Sequence, residues 1–171
     1  MQAWFQFYSV IGGAAAALLG LLFVAISLNA AHTLGPGHDN IRRLAEQAFH
    51  NYLTVLMVSL LALFPQMDRQ TFSLVILSVT GLSAIFGVVR FYQTLFRPTP
   101  GESRLFMLRR HLSSLIGFTI LVVAALRMGL SNEDERSLLA SGIIVLLFSA
   151  TMVSWIFLTR VARTGGSRPH S

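Results

Sequence analysis

The residues with the most chemistry to offer are five histidines: His32, His38, His50, His111 and His170. Glu46 and His50 stand four apart and share a face if a helix begins there. With His32 or His111 that face offers ligands for a metal, or two imidazoles for a haem iron. No metal-motif spacing accompanies them. The plainer reading, histidines in loops and at the ends of apolar spans, needs no ligand, and no cofactor or metal is expected. The chain has no cysteine, so a catalytic thiol, a thiolate metal site and a disulfide are excluded.

The carboxylates are Asp39, Glu46, Asp68, Glu102, Glu133, Asp134 and Glu135, and none lies in the centre of an apolar run. Ionisable groups inside a membrane usually mark ion or proton pathways, so a proton-coupled transporter or carboxylate-lined pore is disfavoured. There is no glycine-rich phosphate loop, zinc-protease histidine pair or nucleophile elbow. An enzyme is not expected. Hydroxyls are plentiful within the apolar runs, among them Ser59, Thr80, Ser83, Ser149 and Ser154. Hydroxyls in helices bond back to their own backbone; rings of them also suit a channel lining.

All 13 basic residues are arginine, and the net charge is +6. Guanidinium groups bind phosphate bidentately. Here they cluster at the ends of apolar runs, which points away from nucleic acid and towards lipid headgroups.

The elements that must position these groups are membrane spans. Of 171 residues, 54% are hydrophobic and 12% charged, outside the range of ordinary soluble domains. Five runs approach the 20 or so residues a helix needs to cross hydrocarbon. They are residues 4–31, 45–64, 71–89, 112–130 and 138–159. The second is the weakest, because its first turns carry Glu46, Gln47, His50 and Asn51. It ends at Pro65, and the short connection to Gln70 makes spans two and three antiparallel neighbours. The first run lacks the basic start of a signal peptide and is expected to be retained.

Arginine placement tests the count. Five spans put ten arginines on one side (Arg42, Arg43, Arg90, Arg97, Arg104, Arg109, Arg110, Arg160, Arg163, Arg168) and three on the other. Omitting the second span reduces the split to eight against five. The arginine-rich side is cytoplasmic by the positive-inside rule, giving an outside N-terminus and an inside C-terminus. Trp4, Phe5, Phe7 and Tyr8 then mark the outer interface, and Phe91, Tyr92, Phe96 and Trp155 the inner one. The expected fold is an all-α integral membrane bundle of five transmembrane helices forming one domain, residues 1–171. Arg104, Arg109 and Arg110, just before span four, are candidates to attract anionic lipid, at about 1 kcal/mol each near the surface.

Because lipid is as apolar as Leu, close approach through small residues has to hold such spans together. Gly12, Ala16 and Gly20 recur every fourth residue in span one; Ser83 and Gly87 do so in span three, and Ala150 and Ser154 in span five. The simplest expectation is that spans one, three and five pack together within the protomer. The alternative is that the span-one stripe forms an oligomer face.

The stretch Gly12 to Ala17, followed by Leu18-Leu19-Gly20-Leu21-Leu22-Phe23-Val24-Ala25-Ile26-Ser27-Leu28-Asn29, together with Leu63-Phe64-Pro65 closing span two, resembles a group of small bacterial membrane proteins. Some of these are labelled modulators of a membrane-bound AAA protease. The resemblance covers about residues 5–66, carries no functional residue over, and implies a bacterial inner-membrane location. The expected function is that of a non-enzymatic accessory, regulatory or assembly partner, contacting the bilayer and another membrane protein or itself. A homo-oligomeric pore or small-solute channel, with spans one and three lining the path, is the alternative.

Overall fold

Every described element in the computed structural model is a helix. The described residues are 2–30, 33, 39–64, 68–96, 104–130 and 136–165. The helices are α1 (Gln2–Leu28), α2 (Asp39–Ala62), α3 (Arg69–Phe96), α4 (Arg104–Leu130) and α5 (Arg136–Gly165). With 24 to 30 residues apiece, each is about 36–45 Å long, enough for a bilayer core. Four of them, α1, α3, α4 and α5, are also apolar enough to cross a membrane, the mark of a multi-pass membrane protein. The fifth, α2, is long enough but carries too many polar groups along its first half.

Local chemistry sets the ends. The carbonyl of Asp68 accepts from the Phe72 amide and opens α3, with Asp68 in the flanking position that favours short polar residues. The last turn of α2 tightens: the Leu63 amide donates to both Ser59 and Leu60, and Phe64 to Leu61, just before Pro65. Asn29 closes α1 by donating its side-chain amide to the Ala25 carbonyl. The basic segment from Arg104 to His111 continues α4 as regular helix rather than breaking from it.

The helices form a ring of four, α2–α5–α4–α3, with α3 returning to α2. The α2–α3 contact is the loosest of the four. Outside the ring, α1 lies along α2 and touches α5 lightly. Tyr8 pins its first turns by donating to the Arg136 carbonyl at the start of α5, at 3.1 Å. This corrects the expectation that spans one, three and five pack together: α1 rests on α2, not α3, and α3 rests on α4. The small residues Ala150 and Ser154 of α5 serve the contact with α2, where Ser154 donates to the Tyr52 hydroxyl. The helix with the poorest hydropathy is thus the one that others surround. It buries Leu44, Ala48, Tyr52, Val55 and Val58, together with the polar side chains of Gln47, Asn51 and Thr54.

Two apolar cores result. One joins Tyr8, Ala15, Val55, Val58 and Ile76 to Phe118, Leu121, Leu139, Ile143 and Leu146. The other joins Leu22, Leu44, Ala48 and Tyr52 to Ala150, Val153, Phe157 and Val161. Backbones approach closely where α4 meets α5. A Cβ on Gly117 would sit 2.7 Å from Leu146, and one on Gly142 would sit 2.7 Å from Leu121. Each glycine makes room for a leucine of the facing helix, which is how membrane helices gain dispersion contact.

Candidate functional site

Beside these cores, near mid-height in the ring, lies a layer of buried hydroxyls and amides. It starts on α2, where Gln47, Asn51 and Thr54 fall at i, i+4 and i+7 and so share one face. All three are buried. The amide of Asn51 donates to Ser114 Oγ at 2.8 Å, and the amide of Gln47 donates to the same oxygen at 3.2 Å. Ser114 Oγ also lies 2.9 Å from Ser149 Oγ, which in turn lies 2.9 Å from Ser113 Oγ. A hydroxyl has one donor and two acceptor sites. With both acceptor sites of Ser114 taken by amides, its proton goes to Ser149. α2, α4 and α5 are therefore tied through a single hydroxyl. A second link joins Thr54 to Ser83 of α3 at 3.3 Å.

The layer opens into a cavity of ≈ 30 Å³ between α2, α3 and α4. Gln47, His50 and Asn51 line it from α2, Phe86 and Gly87 from α3, and His111, Ser114, Leu115 and Phe118 from α4. It thus lies along the loosest seam of the ring. The His50 ring sits among aromatics, with centroids 6.4 Å from Phe86 and 6.0 Å from Phe118. Of the lining residues, Gln47 carries a buried oxygen, Oε1, on a side chain 7% exposed, that has no hydrogen-bond partner among the described residues. A buried acceptor left unmatched costs about 1–3 kcal/mol. The cavity exceeds the roughly 10–15 Å³ that a single water requires.

Of the residues singled out in the sequence, Gly12 is buried against α2, and a Cβ there would meet Ser59 Cβ at 3.1 Å. Ala16 and Gly20 are exposed and face away from the ring. Ser83 is buried against Thr54, and Gly87 faces Leu115 and Phe118 across the α3–α4 contact. The side chains of Arg104, Arg109 and Arg110 lie outside the described residues, although their backbone forms the first turns of α4. His32, His38 and His170 lie outside them as well. His50 and His111, 61 positions apart, do meet at one cavity. Glu46 does not join them: it is 2.9 Å from Arg42 on an exposed face of α2. No group of three or more His, Asp or Glu side chains is gathered for a metal among the described residues.

Sequence reasoning missed Gln47, Asn51 and Ser114 as a unit, and also Gly117 and Gly142. The first set had a signal, since Gln47, Asn51 and Thr54 already lie on one face of a helix. The glycines had one too: Gly117 stands four before Leu121, and Gly142 four before Leu146, so each helix offers a notch and a knob. No protein-family model, curated protein or solved structure matches the chain.

Proposed function

We propose that the protein crosses a bacterial inner membrane five times, N-terminus outside and C-terminus inside, and acts without catalysis as an accessory or assembly partner of a membrane complex. Its contact surface is the outer face of α1. The observation that carries this reading is the division of labour on that helix. Gly12 and Ala15 are spent on the protomer, whereas Gly13, Ala16, Ala17 and Gly20 are exposed. A Cβ on Gly13 or Gly20 meets nothing within 4 Å. Flat strips of small residues let a second helix approach closely in lipid. The bond partners of the hydroxyls favour this reading over the pore lined by α1 and α3. Ser83, Ser113, Ser114 and Ser149 bond one another or α2 inside the ring, and Ser78, Thr80 and Thr119 bond their own backbone carbonyls.

The chain has no cysteine, so site-directed cross-linking is clean. Ala17→Cys carrying a photoactivatable thiol reagent should give one discrete adduct in native membranes, with another membrane protein or a second copy. Ile85→Cys, on the lipid face of α3, should give none. Adding Gly13→Leu and Gly20→Leu should abolish the adduct. Equal, diffuse labelling from both positions would contradict the proposal.

A further inference from the structure

On each of the three helices that meet at the cavity, the lining face runs on to an arginine at the same end of the bundle. We propose that this end of the α2–α3–α4 seam binds the phosphate of one anionic phospholipid through Arg43, Arg90 and Arg110. The proposal rests on the multi-pass membrane reading and owes nothing to the contact surface on α1.

Helix register carries it. Gln47 and His50 line the seam from α2, and Arg43 lies on their face, four and seven residues earlier. Phe86 and Gly87 line it from α3, and Arg90 follows them by four and three. Ser114 lines it from α4, and Arg110 precedes it by four. Bonds between the helices set their relative heights. Thr54 is level with Ser83, 3.3 Å away, and Ser114 accepts from both Gln47 and Asn51. At a rise of 1.5 Å per residue, the three arginine positions fall within about 6 Å of one height.

Charge and exposure select the occupant. The first three turns of α2 and α4 and the last three of α3 carry six arginines and two carboxylates, Asp39 and Glu46. Glu46 is 2.9 Å from Arg42. Arg43 is exposed and makes no ion pair among the described residues. Cations gathered at one height repel unless an anion sits among them, and the guanidinium fork matches phosphate. Basic pockets between transmembrane helices hold anionic headgroups in this way. An apolar flank favours a lipid over a soluble phosphate. The α2–α3 contact is the loosest of the ring, and Phe86, on the cavity wall, is 52% exposed, a surface for an acyl chain beside the headgroup.

The test is native mass spectrometry of the full chain in detergent, titrated with phosphatidylglycerol or with phosphatidylcholine of the same chains. The wild type should retain one phosphatidylglycerol and prefer it by at least about tenfold, given several guanidinium groups at the site. Arg43→Gln alone, an exposed change that leaves the fold intact, should weaken retention about fivefold. The triple variant Arg43→Gln, Arg90→Gln, Arg110→Gln should hold phosphatidylglycerol no better than phosphatidylcholine. Arg109→Gln, Arg163→Gln, Arg168→Gln, which removes the same charge elsewhere, should keep the preference. Millimolar inorganic phosphate should not displace the lipid. Three results overturn the proposal: no preference in the wild type; equal loss in the two triple variants, the mark of net charge rather than a site; or displacement by inorganic phosphate, the mark of a simple anion site.

Discussion

Gly117 and Gly142 show how much of the packing rests on single atoms. A Cβ on either would press within 2.7 Å of a buried leucine, and at Gly117 the Leu146 backbone nitrogen is only 3.3 Å away, so the neighbour cannot simply swing aside. Gly117→Ala and Gly142→Ala should each destabilise the protein by about 1–3 kcal/mol, the usual cost of overpacking. Gly81→Ala, with nothing within 4 Å of its Cβ, should be neutral or stabilising by up to about 1 kcal/mol, since alanine is the better helix former. Thermal unfolding in detergent, followed by far-ultraviolet circular dichroism, separates the two outcomes. Spacing alone did not rank these glycines. Gly12, Ala16 and Gly20 form the more regular row, yet a four-residue step advances the helix by about 40° beyond a full turn. Two steps therefore carry the row from the α2 contact at Gly12 to the exposed face at Gly20. That drift is why Gly12→Leu should push α1 off α2 and lower stability, while Gly20→Leu should leave stability unchanged.

Among the elements, α2 departs furthest from expectation. Hydropathy ranks it last as a span, because Glu46, Gln47, His50 and Asn51 lower its average. Packing ranks it first, because α1, α3 and α5 all rest on it and the side-chain N–H groups of Gln47 and Asn51 donate to α4. The four apolar helices were legible from length and hydropathy, which are properties of each segment taken alone. The place of α2 was not, because it depends on which side chains of other helices meet Gln47 and Asn51. The asymmetry of buried hydrogen bonds gives a test. Ser114→Ala alone removes the acceptor for two amides and should cost about 1–2 kcal/mol, at the upper end for polar contacts between membrane helices. Combining it with Gln47→Leu and Asn51→Leu removes the unmatched groups and should restore much of the loss. If the triple variant were less stable than Ser114→Ala, the hydroxyl and amide layer would owe its stability to something other than mutual satisfaction.

Across the whole molecule, the account depends on α2 crossing the bilayer. A chain crossing five times puts its ends in different compartments; a chain whose α2 stays on one side crosses four times and puts them together. Arginine placement argues for five, because five crossings put ten arginines on one side and three on the other, whereas four put eight and five. If α2 crosses, enclosure supplies the physical reason a polar helix is tolerated there: the N–H groups of its Gln47 and Asn51 side chains meet Ser114 rather than lipid. The direct measurement is thiol labelling in intact cells, with Gln2→Cys and Ser167→Cys introduced singly into the cysteine-free chain and a reagent that cannot cross the membrane. Five crossings predict that Gln2→Cys is labelled from outside and that Ser167→Cys is labelled only after lysis. Labelling of both positions under the same condition would contradict the account.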